Sequence, residues 1–346
     1  MRTVYEINPL TDPRWKELAE NHPAATVFHS REWLTALHQT YGYVVSAFTT
    51  SRPQESLTNA LVFCRVQSWF TGRRLISVPF SDHCTPLFEQ EEELQPLWTR
   101  MKEECDGKER YFELRSTGLW EEFTGTELEC STFCLHQLDL GQSLSKLFSS
   151  FHESCVRRKI LRAQREDLVY EEGASENLLH AFYWLNVLTR RRHQVPPQPL
   201  EWFQNLIACA GEKLKIRMVS HHGEPAAAIL TIRHKSTMTY KYGCSDPRFH
   251  RMGAMQALMW KAIQEAKSGG LRNFDMGRTD WNNEGLLRFK DRWGATRSTL
   301  TYLRYPAQKV RISAENGGGR VPRFVMSLAP DRFLVTVGKV LYRHMG

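Results

Sequence analysis

The sequence predicts an α/β protein built from two copies of one domain, each a mixed central sheet flanked by helices. Three observations carry this. Strand-like and helix-like stretches run strand-strand-strand-helix-strand-helix-strand across 44–140, and the same order returns across 214–304. RYFELR at 110–115 aligns with RNFDMGR at 272–278 through an Arg, a Phe, an acid and an apolar residue. With 346 residues and 41% hydrophobic content, the chain can build two cores, since roughly 100–200 residues make one domain. The expected boundaries are 1–142 and 143–305 for the two domains and 306–346 for a tail.

The elements follow in order. Residues 12–21 and 30–40 read as short helices, the second with Ser30 as N-cap and Trp33, Leu34 and Leu37 on one face. Strands are expected at 44–49, 60–66 and 74–78, with TGRR turning between the last two. A helix at 91–105, a strand at 110–115, a short helix near 118–123 and a strand at 132–140 complete the first copy. The second opens with a basic helix at 143–167 and a helix at 176–193 that VPPQP stops, because proline cannot continue it. A helix at 200–210, strands at 214–220, 226–233 and 237–243, a helix at 253–268, the strand RNFDMG, a helix at 284–292 and a strand at 298–304 follow. In the tail, Phe333, Leu334, Val337, Val340 and Leu341 alternate with Arg332, Lys339 and Arg343 as an amphipathic helix. Such a helix lies on a membrane surface or packs back on its own domain.

The net charge of +8 favours anionic partners such as phosphates, nucleic acid or an anionic membrane surface. The first residues lack the apolar run of a signal peptide, and no apolar stretch reaches 18 residues, so no spanning helix is expected. The eight cysteines form no CxxC pair and no zinc-ligand spacing, which reads as reduced cytoplasmic thiols. No Cys/His arrangement for nucleophilic catalysis is visible.

Several stretches carry polar chemistry. In CVRRKILRAQRE, Arg158, Arg162 and Arg165 recur at helical spacing beside Lys159, a face suited to phosphate or to simple solvation. Arg192 belongs to TRRRH at a helix end, where cations also complement the dipole. Gly253 and Ala254 open a helix and can present backbone N–H groups to a phosphate. Acyl-CoA acetyltransferases use Arg/Gln-x-x-Gly-x-Gly/Ala there; His250 and Met255 degrade the match. Asp82 sits in the turn SVPFSDH, placed to orient an amine, act as a base or form the turn. Tyr240 and Tyr242 fall on one side of a strand and Lys241 on the other, lining a groove or capping a core. The segment 272–295 ends a strand in Asp-x-Gly-Arg, crosses the loop holding Arg278 and Asn283, and enters a helix with Phe289, Lys290 and Trp293.

FHSREWLTALHQTYGY, RRLISVPFSDHCTPL, RRKILRAQRE, TRRRHQVPPQP, YKYGCSD and FDMGRTDWNNEGLLRFKDRWGA occur in an order that resembles the FemAB-like branch of the GNAT acyltransferases, over about 20–305. The resemblance implies two tandem GNAT-like domains and an activity that moves an amino acid from aminoacyl-tRNA to an amine of a peptidoglycan precursor. It implies Lys290 as the group that stabilises the oxyanion of a tetrahedral intermediate or the leaving group. By the same resemblance, Arg158 or Arg162 would hold substrate phosphates and Asp82 falls near an acidic position of the first domain. The inserted helical hairpin of some members is absent, and 306–346 lies outside the shared region.

The expected function is amide formation on an amine of an envelope-related substrate, with aminoacyl-tRNA as donor, no permanently bound cofactor and no covalent intermediate. An acyl-CoA-dependent N-acetyltransferase is the rival enzyme, and a binding protein with a vestigial cleft the rival of another class. Expected partners are tRNA, an anionic or lipid-linked substrate and, through the C-terminal helix, a membrane surface. The expected location is cytoplasmic, with or without membrane association.

Overall fold

The computed structural model describes residues 3–69, 72–107, 111–117, 128–306 and 330–345. The short helix expected near 118–123 lies outside them, as does part of the TGRR turn. The elements are β1 Tyr5–Ile7, α1 Arg14–Asn21, α2 Arg31–Tyr41, β2 Val44–Thr49, β3 Leu61–Ser68, β4 Gly72–Ser77, α3 Leu94–Gly107, β5 Phe112–Thr117 and β6 Glu129–Asp139. Then come α4 Leu144–Ser150, α5 Arg158–Ala163, β7 Leu168–Gly173, α6 Glu176–Arg192, α7 Leu200–Ala210, β8 Leu214–His221, β9 Glu224–His234 and β10 Thr237–Ser245. The chain continues with α8 Ala254–Ser268, β11 Asn273–Thr279, α9 Glu284–Asp291, β12 Thr296–Tyr305 and α10 Asp331–Met345. Ser30 caps α2 as expected, its Oγ accepting from Trp33 N at 3.2 Å.

The described residues divide into two compact units, 3–133 with 298–306 and 340–345, and 134–297 with 330–339. This differs from boundaries at 142 and 305. β12 follows the second copy in sequence yet pairs antiparallel with β5 from Leu300↔Thr117 to Tyr305↔Phe112. Leu303 and Tyr305 accordingly bury beside Phe112, Leu114, Trp98 and Phe63 in the first core. β6 leaves the first copy and pairs through Cys134–Asp139 with β11.

In the first unit the strand order is β1-β2-β3-β4-β5-β12. Every pair is antiparallel except β4 and β5, which run parallel over Leu75–Ser77 against Phe112–Leu114. Residues 340–345 of α10 pack here: Tyr43 Oη donates to Tyr342 O at 3.0 Å, and Arg74 Nη2 to His344 O at 2.6 Å.

In the second unit the order is β6-β11-β10-β9-β8-β7. Again one pair is parallel, β10 with β11 over Thr237–Thr239 against Asn273–Asp275. The core gathers Phe151, Val156, Ile160, Leu258, Met259, Ile263, Phe274 and Trp293. Residues 331–339 of α10 pack in this unit, with Gly338 so close to Pro197 that a Cβ would stand 2.0 Å from its carbonyl oxygen.

The expected basic helix 143–167 is three short helical pieces, and a strand follows it. Phe151 turns extended at the end of α4, burying its ring 5.4 Å from Trp260 and 5.1 Å from Trp293. A π-turn at Glu153–Arg157 leads into α5, which stops at Ala163. The residues after it form β7, paired with β8. Burial of one aromatic ring outweighs the helical pattern of its neighbours.

Candidate functional site

β10 and β11 pair only through Thr239↔Asp275, and both strands then carry a bulge. On β10, Tyr240 faces Thr231 and Tyr242 faces Leu230, so Lys241 is the extra residue. Because Thr231 and Leu230 are consecutive, the two tyrosines point to opposite faces of the sheet, against the expectation of one shared side. Tyr242 stacks edge-on to Phe203 at 5.1 Å and accepts from Trp202 Nε1 at 2.8 Å. Tyr240 packs on the core under α8, and burial pushes its hydroxyl pKa up. Its ring lies along the strand, so that a Cβ on Gly243 would meet its hydroxyl oxygen at 1.8 Å.

On β11, Asp275 faces Gln137 and Arg278 faces Leu135, which leaves Met276 and Gly277 opposite the single residue His136. Gly277 takes φ +73°, a conformation glycine adopts without strain. Asp275 is buried and accepts from Gly277 N at 2.7 Å, so this acid secures the bulge. Lys290, 2% exposed, donates from Nζ to Gly277 O at 2.7 Å and to Arg278 O at 3.1 Å. The unit thus holds a fixed ammonium where the two parallel strands part, an arrangement able to stabilise negative charge developing on a carbonyl oxygen.

The next residue, Asp291, ties the same helix to β6. Its Oδ1 lies 3.1 Å from Nε2 of His136, which is wholly buried, and it binds Arg297 Nε at 2.7 Å. Burial pushes the His136 pKa down while Asp291 pulls it up, with the net shift downward, so the neutral ring donates from Nε2. The Arg297 guanidinium holds the Asp291 carboxyl below its ordinary range. Cys134 Sγ lies 3.6 Å from His136 Nδ1 and 3.9 Å from Nε2. Nearly equal distances put the sulfur off the line of either nitrogen's lone pair, and burial raises the thiol pKa. A second contact sets Cys84 Sγ 3.3 Å from His29 Nε2. There Thr26 N donates to Nδ1, so Nε2 carries the proton and donates to Thr85 O. Neither imidazole is placed to take a thiol proton, although folding creates both contacts unseen in the sequence.

The remaining expected residues scatter. Arg158 pairs with Glu153 at 2.8 Å and Arg162 with Glu166 at 2.8 Å, while Arg165 lies beyond α5, so the three-guanidinium face does not form. Arg192 Nη1 donates to Ser245 O at 3.2 Å at the end of β10. Ser245 Oγ lies 2.9 Å from His250 Nε2. Burial, with Arg192 and Lys159, lowers the His250 pKa. Lys159 and His250 thus join Arg192 near the start of α8, a convergence from three separate segments. Gly253 caps α8 at φ +78°, and a Cβ on it would stand 2.3 Å from Lys159 O. Ala254 is buried in the core. Asn283 caps α9 by accepting from Leu286 N at 3.1 Å. Phe289 packs on Trp293, and Arg278 lies 3.7 Å from Asp280. In the first unit, Asp82 is half-buried in its turn, its carbonyl accepting from Tyr302 Oη at 2.7 Å.

Residues 152–291, which include all of this second-unit site except β6 and Arg297, match the family described as acetyltransferase (GNAT) domain. Among solved structures, FemX superposes with a TM-score of 0.64 at 12% identity, covering 86% of this chain and 96% of its own. L-PGS from Bacillus licheniformis gives 0.55 at 14% identity over 95% and 98%. A tandem GNAT protein from the clavulanic acid biosynthesis pathway gives 0.55 at 10% identity over 89% and 99%. No curated protein matches the sequence. These likenesses show the tandem fold, two α/β GNAT-like domains. Residues 152–291 thus resemble a GNAT acetyltransferase domain, and the chain as a whole shares the fold of FemX.

Proposed function

We propose that the protein forms an amide by moving an aminoacyl group from aminoacyl-tRNA to an amine of an anionic or lipid-linked envelope substrate. The observation that carries this is the Lys290 ammonium fixed on the carbonyls of Gly277 and Arg278 where β10 and β11 part. The amine attacks the ester carbonyl and a new C–N bond forms. Lys290 turns an N–H from a backbone carbonyl to the oxyanion, keeping its charge in place. The C–O bond to the ribose then breaks, and the proton lost by the amine ends on the ribose oxygen. An amine attacking an activated ester needs mainly alignment and charge stabilisation. Arg192 is proposed to hold donor or acceptor phosphates with Lys159 and His250, and Arg158, Arg162, Arg278, Asn283 and Phe289 to border the substrate path.

Two features favour tRNA over acyl-CoA as donor. His250 stands where the pyrophosphate loop has Arg or Gln, and it is engaged with Ser245. The backbone of Gly253 is closed on one side by Lys159 O. FemX and L-PGS share the fold. The acyl-CoA reading draws on the acetyltransferase description of the family and on the tandem GNAT neighbour. Incubation with labelled aminoacyl-tRNA and, separately, labelled acetyl-CoA in the presence of amine acceptors decides between them. Transfer from the charged tRNA alone is expected, with binding that weakens steeply as salt rises. Transfer from acetyl-CoA alone would replace the donor assignment, and binding of neither would end both readings.

A further inference from the structure

We infer that α10 is a membrane-contact helix for an anionic bilayer, through a face other than the one it uses to pack on the protein. The reading goes beyond the acyl-transfer site and stands independently of the donor. Leu334, Gly338 and Tyr342, spaced by four, are buried. That row accounts for the packing side of the helix. Phe333 and Val340 recur at i and i+7 on another side, with Val337 between them, and they remain 47% and 50% exposed. An apolar row of this kind on solvent is uneconomical unless something covers it.

The charges beside the row say what that is. Arg332, Lys339 and Arg343 fall together on the adjoining side at helical spacing, all exposed. The helix has one acid, Asp331 at its start, and Arg191 holds it. Lys339 Nζ reaches Glu201 only at 4.0 Å with its side chain 70% exposed, a pair that leaves the lysine facing solvent. On α6, Trp184 is exposed and lies two turns from Arg191 on the same face, an amphipathic aromatic side chain on the helix whose Arg191 holds Asp331. Apolar residues beside a row of cations, with no exposed acid after the first position, suit insertion at the headgroup level of an anionic bilayer. A nucleic-acid backbone would need the cations but not the Phe–Val row. The net charge of +8 works in the same direction.

The test uses the full chain and sedimentation with vesicles of phosphatidylcholine, with and without phosphatidylglycerol. The native protein is expected to sediment with the anionic vesicles and to release as salt rises. The double variant Phe333→Glu/Val340→Glu is expected to lose at least about tenfold in vesicle affinity, because two apolar side chains no longer insert. Its thermal midpoint and its transfer rate on a soluble acceptor should match the native values, since both positions are exposed and outside the site. Reversal at Arg332→Glu should remove most of the preference for anionic over neutral vesicles. The inference is overturned if the native protein ignores anionic vesicles, or if the double variant binds them as the native protein does. A double variant that loses tRNA binding while keeping vesicle binding would also overturn it, assigning the face to RNA.

Discussion

Both units contain a parallel strand pair that separates after three paired residues, and the two separations are used differently. In the first, β4 and β5 part after Ser77↔Leu114. The chain's own Val78–Cys84 turn packs at that point. Arg115 Nη1 donates to Val78 O at 3.1 Å and Ser81 O at 3.2 Å, Cys84 N donates to Arg115 O at 2.7 Å, and Ser77 Oγ to Cys84 O at 2.9 Å. In the second, β10 and β11 part after Thr239↔Asp275, and Lys290 sits on the carbonyls of a bulge. The aligned acids Glu113 and Asp275 both serve the backbone or an ion pair, Glu113 by holding Arg115 and Arg304. One copy has used its opening to stabilise itself, and the other presents a charge there. A duplicated fold keeps its frame while the groups at the strand ends are free to differ.

The largest effect expected from disturbing the first opening comes from Arg115→Met. It leaves Glu113 buried with Arg304 as its remaining ion-pair partner among the described residues and releases two carbonyls of the 78–84 turn, a loss of about 3–5 kcal/mol in chemical denaturation. The same ion pairs set an acid limit. Burial alone would raise the Glu113 pKa, but Arg115 and Arg304 outweigh it, and the native carboxyl lies below its ordinary range. Its contribution is therefore complete above the unfolded glutamate value of about 4.3 and is lost as pH falls through the lower native one. Denaturation midpoints measured from pH 6 downward to about 2 should fall in that window, and Arg115→Met should flatten the fall.

In the second unit, Gly253→Ala combines a positive φ with a Cβ 2.3 Å from Lys159 O. A loss of roughly 1–3 kcal/mol is expected, read in the same denaturation series. A neutral outcome would mean that α5 yields there. His136→Leu removes the Nε2–Asp291 bond and should cost about 1–3 kcal/mol. His136→Gln, which keeps a donor at similar reach, should recover most of it. Because Asp291 follows Lys290 on α9, His136→Leu should also lower kcat more than it raises KM, and Gln should restore kcat. Equal stability of the Leu and native proteins would detach His136 from the site.

The sequence revealed the repeated order of strands and helices, the Ser30 cap and the aligned RYFELR and RNFDMGR segments. These signals are local, and periodicity exposes them directly. The residues of the site were only partly legible. Lys290 was singled out by resemblance, whereas its carbonyl partners depend on a bulge opposite His136. That residue lies more than 150 positions away from Asp291 in the chain, and no spacing rule links them. The facing of Tyr240 and Tyr242 failed for the same reason, since one extra residue in β10 reverses alternation. Arg158 and Arg162 looked free because their acids, Glu153 and Glu166, sit on turns that replaced the expected helix. β7 was hidden behind that helix.

The central claim is that the second unit performs the transfer with Lys290 as its fixed charge. Single-turnover transfer from pre-bound labelled aminoacyl-tRNA by the native protein and by Lys290→Ala tests it most directly. The predicted result is a rate constant lower by about 10²–10³ with donor affinity within a few-fold of native. A Lys290→Ala protein that transfers at the native rate would contradict it.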